Sequence, residues 1–367
     1  MQQYAIYVHI PFCKSRCGYC VFSSCTNYQL CGQYFNKLFQ EIEQQPVVPN
    51  SQISTVFVGG GTPTSVPSAM LEKLFLLLHN KFDLSTATEI TVECNPESAT
   101  VEMLATLKKC GVNRISFGLQ SVNDSTLARV GRAHNYQQFL TALRNAQAVG
   151  FDNVNADLIV GLPESQQDFF HTVETVCQLP LSHVSLYSLE LHEQAPIYKL
   201  CTTDFAFSDD QLADMYDYAM DKLQQAGFVR YEVSNFAKNG KQCKHNVNYW
   251  TEGRYYGFGA SAHCFVQNVR KSNVFSINDY ISKPNVVEAQ EVISLQEEAS
   301  EFVMLSLRLA QGFSLEEFQR RFGLDFFQHF PQSAKLLEGG FLQHQDGRIF
   351  VPSGKFYVLN GILAELL

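Results

Sequence analysis

The chain has no run approaching the ~18 consecutive apolar residues of a membrane-crossing helix, so a transmembrane span is not expected. It also lacks a basic excess. Lys and Arg number 27 against 36 Asp and Glu, giving a formal net charge of −9. Without a broad positive field, general binding to nucleic acid is not expected. Charged residues are only 17% of the 367 and hydrophobic ones 46%, which excludes a disordered, collagenous or coiled-coil chain. Internal repeats and low-complexity tracts are absent. The opening residues, Met-Gln-Gln-Tyr-Ala-Ile-Tyr-Val-His-Ile-Pro, lack a basic region, an apolar stretch and a small-residue cleavage site. A cytoplasmic protein is therefore expected, with peripheral contact to a membrane left open.

Cysteine, in contrast, is plentiful. Eleven cysteines in a long chain without an export signal read as reduced thiols and a metal site rather than a disulfide framework.

Short β-branched runs at Tyr4–His9, Ile53–Val58, Glu89–Glu93, Asn113–Phe117, Asn153–Val160 and His183–Leu189 alternate with helical patterns. These patterns are Tyr34–Gln44, Met70–His79, Val101–Cys110, Tyr136–Val149 and Gln167–Cys177. Six strand–helix units predict an α/β fold with a parallel sheet, its strands apolar on both faces as in Val154–Val160. Six units are too few for a closed eight-stranded barrel. The fold expected is a partial (β/α)6 barrel of the TIM type, with its chemistry at the C-terminal strand ends. This core domain spans 1–235. Residues 236–290 lack clear periodicity and read as a connecting segment. From 291 to 367, helices at Glu297–Ala310, Ser314–Phe322 and Asp325–Leu337, a hairpin turning at Asp346-Gly347, and a last helix Lys355–Leu367 predict a small α+β domain of winged-helix type.

Directly after the first strand comes Cys13-x3-Cys17-x2-Cys20. Three thiolates within eight residues can grip a [4Fe–4S] cluster and leave one iron free for an outside ligand. The alternative is a zinc site completed by Cys25 or Cys31, since zinc is usually closed by four protein ligands. Gly59-Gly60-Gly61-Thr62 follows the second strand and lets the backbone approach a ligand closely. No Gly-Lys-Ser/Thr follows it, so a phosphate loop is not expected.

The spacing Cys13-x3-Cys17-x2-Cys20 after a first strand resembles the radical S-adenosylmethionine (SAM) superfamily. The resemblance extends through nearly all of the chain to the branch of oxygen-independent coproporphyrinogen III oxidase and its heme-chaperone relatives. It is carried by Tyr7–Cys13, Gly59–Thr64, Glu93–Pro96, Gly111–Ser121, Gly131–His134, Asp157–Pro163 and Ser185–Leu189. The resemblance implies that Cys13, Cys17 and Cys20 hold a [4Fe–4S] cluster. It further implies a SAM site formed by Tyr7, Tyr19, Gly60, Gly61, Thr62, Glu93, Gln120, Arg132 and Asp157, and reductive cleavage of SAM with electrons from a donor.

A second informative stretch is Tyr231–Phe236 followed by Cys243-Lys244-His245-Asn246-x-x-Tyr249-Trp250, containing the only Trp. A histidine among aromatics suits a flat macrocycle; equally, His245 and Asn246 can organise a loop by hydrogen bonds. The string resembles the chaperone relatives, which makes His245, Tyr249 and Trp250 heme candidates. Two departures from the oxidase pattern imply the same branch. Phe22 stands where the oxidase carries a further cysteine, and Cys13 lies close to Met1, without the oxidase's long preceding extension. Val21 replaces the acidic residue frequent in the chaperones. The expectation is a heme chaperone that passes heme to acceptor proteins, with coproporphyrinogen III oxidase as one alternative and a zinc-stapled, non-catalytic binding module as another.

Overall fold

The computed structural model describes residues 2–238 and 240–367. Six parallel strands lie side by side in chain order: β1 (Gln2–Ile10), β2 (Ser51–Gly60), β3 (Glu89–Cys94), β4 (Arg114–Gln120), β5 (Val154–Val160) and β6 (His183–Ser188). Helices connect them at Cys31–Gln44, Ser68–Lys81, Val101–Lys109, Tyr136–Val149 and Gln166–Cys177. Local sequence fixes the starts of the last two. Asn135 with Gln138, and Ser165 with Asp168, form reciprocal caps that satisfy otherwise unpaired backbone N–H groups.

The sheet is wider than six strands. Beyond β6 run the short antiparallel strands β7 (Val229–Arg230) and β8 (Asn235–Ala237). On the other side, β9 (Arg254–Phe258) pairs in parallel with β1, from Tyr4 opposite Arg254 to Val8 opposite Phe258. Antiparallel β10 (His263–Val266), β11 (Val269–Asn273) and β12 (Val287–Val292) follow. The stretch 236–290, set off above as a connecting segment, thus carries strands of the main sheet. The order runs from β12 to β7 without joining, so the sheet is an open arc, as the count of units predicted.

The two faces of the arc differ, and here the expectation of doubly apolar strands is corrected. Val154, Ala156, Leu158 and Val160 of β5 join the hydrophobic core with the helices, as do Ile90, Val92 and Cys94 of β3. The alternate residues on β5, Asn155 and Asp157, and on β3, Glu89, Thr91 and Glu93, occupy the opposite face of the pleat. That face encloses polar chemistry rather than a second apolar layer. The helix Lys244–Trp250 packs under it, held from β3 by Glu89, whose carboxylate accepts the Lys244 and His245 backbone N–H groups at 2.9 and 3.1 Å.

The C-terminal unit has its own core, centred on Phe302, Phe313, Phe318, Phe322 and Phe326. It comprises helices and a three-stranded sheet of β13 (Phe313–Ser314), β14 (Gln343–Gln345) and β15 (Arg348–Phe350). Asp346 and Gly347 both adopt positive φ, 51° and 72°, the geometry of a two-residue hairpin turn. The helix expected over Asp325–Leu337 is broken into Phe326–His329 and Ser333–Glu338, because Pro331 lacks an N–H and disfavours helix before it. Arg321 with Glu252 at 2.9 Å and Arg254 with Glu298 at 2.6 Å pin this unit to the sheet. Among the described residues no helix is long and apolar enough to cross a membrane.

Candidate functional site

Past the end of β1 the chain enters a loop closed by Cys13 N–H donating to the Cys25 carbonyl (3.0 Å) and Cys25 N–H to the Pro11 carbonyl (2.7 Å). Cys13, Cys17 and Cys20 lie on this loop, half-buried and unpaired. A second tie reaches across the arc, where Gly18 N–H donates to the Val130 carbonyl at 2.9 Å. The glycine turn after β2 docks beneath: Gly61 N–H donates to the Ile10 carbonyl and Thr62 N–H to the Phe12 carbonyl, both at 2.8 Å. Gly60 holds φ +110°, and a Cβ there would meet the His9 ring at 2.4 Å. Glycine is required at this point.

A cavity of about 480 Å3 opens at these C-terminal strand ends. Its wall includes Cys13, Cys17, Tyr19, Cys20, Gly60, Gly61, Thr62, Glu93, Gln120, Arg132 and Asp157. Residues spread over four-tenths of the chain are thereby gathered on one surface. Of the SAM candidates Tyr7 alone stands outside the wall; its hydroxyl lies 3.0 Å from His9 Nδ1. His245, Tyr249 and Trp250 are also outside it. His245 is 1% exposed, and its nitrogens are engaged at 2.9 Å by Thr55 and 3.0 Å by Tyr249. Burial pushes its pKa down to about 3. The structure makes His245 a satisfied part of the floor beneath the strands, corresponding to the loop-organising alternative.

The site is held by a hydrogen-bond relay that sequence reading had missed. Arg132 donates to the Gly118 carbonyl, to Asn95 Oδ1 at 2.7 Å and to Cys17 Sγ at 3.5 Å. Asn95 donates to Thr62 Oγ1 at 3.0 Å, and Thr62 Oγ1 donates to Cys13 Sγ at 3.7 Å. Asn95 follows β3 in Glu93-Cys94-Asn95-Pro96, where a side-chain amide just beyond a strand end was the available signal. Donors thus converge on two of the three sulfurs. Burial raises the Cys13 thiol to about 11, so a bound cation is what would draw it into the thiolate form. Among the described residues no three His, Cys, Asp or Glu side chains converge on a single point as a mononuclear ion needs. A cubane takes each cysteine on a different iron, and the three thiols of this loop suit that donor set. Cys94 touches the same wall, but its thiol turns away to the Val92 carbonyl at 3.8 Å.

Opposite the cysteines stand acids and acceptors. Glu93 accepts Gly60 N–H at 3.0 Å, and burial, together with the Asp157 carboxyl, raises its pKa to about 7. Asp157 accepts from Asn155 at 2.7 Å and is also raised by burial. Gln120 holds φ 72° at a register shift of β4, with its buried Oε1 lacking a partner among the described residues. A strained residue with an orphaned acceptor at a strand end fits a ligand-binding role. Arg114, Ser116, Tyr187 and His192 complete parts of the wall that sequence reading did not single out, and Asn246, weighed above as a loop organiser, joins them.

Comparison with known proteins agrees with this architecture. Residues 7–176 match the model of the radical SAM superfamily, and residues 293–353 match that of the HemN C-terminal domain. The chain is 34% identical to the heme chaperone HemW of Bacillus subtilis, covering 98% of this chain and 99% of the relative. It is 29% identical to the heme chaperone HemW of Escherichia coli over 99% and 98% of the two chains. Coproporphyrinogen III oxidase from Escherichia coli superposes over all of this chain and 90% of its own, with a TM-score of 0.87 at 22% identity, a likeness of fold. The chain belongs to the HemW heme chaperone family of the radical SAM superfamily.

Proposed function

We propose that this chain binds heme and delivers it to acceptor proteins, using a [4Fe–4S] cluster on Cys13, Cys17 and Cys20 and a SAM molecule seated along the strand ends. The observation that carries the reading is the single cavity in which three free thiols, a glycine turn and buried acids meet. Cys13, Cys17 and Cys20 would hold the cluster, which when reduced would supply the electron for cleavage of the SAM sulfonium. This chain's residues bind and orient. Gly60 and Gly61 let backbone approach the amino-acid end of SAM, while Glu93, Gln120 and Asp157 offer acceptors for its amine and hydroxyls. Arg132 fixes Asn95 and, through it, Thr62. An electron donor and a reducing cytoplasmic setting belong to this reading.

The second reading is oxygen-independent coproporphyrinogen III oxidase, favoured by the oxidase-like fold over the whole chain. Phe22 in place of the oxidase's additional cysteine argues against it. Anaerobic reconstitution tests both on one sample: iron and sulfide are counted, 5′-deoxyadenosine is measured, and heme titration is run beside porphyrinogen turnover. Stoichiometric heme binding and transfer to an apoprotein, without protoporphyrinogen, supports the chaperone. Turnover of coproporphyrinogen III without heme binding overturns it.

A further inference from the structure

Part of the cavity's rim is apolar and exposed, beside polar Ser15, Arg16, Ser188 and Glu190. On the cysteine loop Phe22 is 64% exposed and Val21 43%, and both line the cavity mouth. The end of β6 and the segment after it add Tyr187, 41% exposed, and Leu189 to the same lining. Contiguous exposed apolar groups beside a cavity mark a place where something apolar docks. The two segments are tied together. Ile197 N–H approaches the Gly18 carbonyl at 3.4 Å, and the Ile197 side chain fills the space where any Cβ on Gly18 would stand, 2.5 Å away. The cleft between them is therefore a built feature of the cluster loop.

One imidazole lines this cleft. Among the ten histidines of the chain, His192 is the one in the cavity wall, and it is exposed. No side-chain hydrogen bond engages its ring among the described residues. The contrast with other histidines is sharp: His9, His183 and His245 are buried with both ring nitrogens bonded. A neutral imidazole with a free nitrogen is a common iron ligand. Arg16, on the cysteine loop, also lines the cavity and is exposed, offering a guanidinium with which a carboxylate at the edge of an amphipathic ring can pair.

We propose that His192 is an axial ligand of the bound heme, whose porphyrin face lies against Val21 and Phe22 at the cavity mouth. The inference rests on the chaperone reading and gives it a site distinct from His245. Binding forms one coordinate bond from an imidazole nitrogen lone pair to iron; no proton is transferred and no electron moves. The porphyrin covers the apolar rim, and its propionates reach Arg16.

The test is a ferric heme titration of the full chain with its cluster reconstituted, read by the Soret band and by electron paramagnetic resonance. His192→Ala is expected to shift the Soret band and the ferric signal and to lower affinity about tenfold or more, with added imidazole restoring the wild-type spectrum. Phe22→Ser is expected to weaken binding without altering the ligand signature. Superimposable wild-type and His192→Ala spectra overturn the proposal while leaving the chaperone reading intact. A ligand signature lost in a folded His245→Asn variant but kept in His192→Ala also overturns it. Absence of heme binding by the wild-type chain overturns the chaperone reading itself.

Discussion

The carboxylate of Glu93 accepts the backbone N–H of Gly60 at 3.0 Å, so the end of β3 and the glycine turn after β2 share one contact at the cavity wall. Glu93 also feels Asp157, and its pKa stands near 7 rather than 4.5. Between those values the folded chain holds a proton that the unfolded chain has released. Stability from this group is therefore present below pH 4.5 and lost as pH rises toward 7. Thermal unfolding of wild type and Glu93→Gln between pH 4.5 and 8 checks the sign: the wild type should lose ground to the variant as pH rises, with no further change above about pH 8. A constant difference across that range contradicts the buried-acid account.

His245 predicts the opposite slope. Its folded pKa lies near 3, below 6.5, because burial opposes the charged ring. On acidification the unfolded chain takes up the proton first, so stability falls as pH drops from about 6.5 toward 3. Relative to His245→Asn, the wild type should weaken over that window, as measured by denaturant midpoints at pH 7 and pH 4.5. An unchanged difference between the two midpoints would show that the ring is not held neutral.

Gly60→Ala should be poorly tolerated. The backbone is at φ +110° and the new methyl would press on the His9 ring; strain and overpacking together cost about 2 kcal/mol or more. Gly150→Ala serves as the comparison, since its φ of +89° is strained but nothing stands within 4 Å of the added carbon. Denaturant unfolding should rank Gly60→Ala well below Gly150→Ala.

Substitution of Cys13, Cys17 or Cys20 by Ala should abolish the reconstituted cluster, whereas Cys25→Ala and Cys94→Ala should retain iron and sulfide. Cys25 joins the loop through its backbone N–H and carbonyl, which the substitution leaves in place. Iron and sulfide analysis with visible absorption decides it; loss of the cluster in Cys25→Ala would mean that a fourth thiol participates.

Much of the architecture was readable because apolar periodicity is strongest where strands and helices share the main core. All six leading strands were located within a few residues, and Ser314 caps its helix through Glu317 N–H at 3.3 Å as its position before that helix implied. The polar inner face was not anticipated. Asn155 and Asp157 interrupt β5 too briefly to outweigh its apolar neighbours in a sequence pattern. The helix Asp209–Gln225 was overlooked although Ser208 and Gln211 cap it reciprocally. Strands β9–β12 were missed for a different reason: they sit toward the sheet margin and carry mixed polar residues, and β9 owes its place to β1, far off in the chain. For the site, the cysteines and strand-end residues were gathered by motif order, whereas Asn95 and His192 became visible only when loops distant in sequence were brought together.

Pairing of β1 with β9 bears on biosynthesis. Tyr4 must wait for Arg254, so during translation the first strand emerges with one flank unclaimed until most of the chain has been made. An unpaired strand margin invites association with other chains. A nascent polypeptide of this design has reason to be shielded at its amino-terminal segment until the late strand arrives. Ribosome-stalled fragments ending before residue 250 should therefore be more prone to aggregate than those that extend past residue 260 by the length of the exit tunnel.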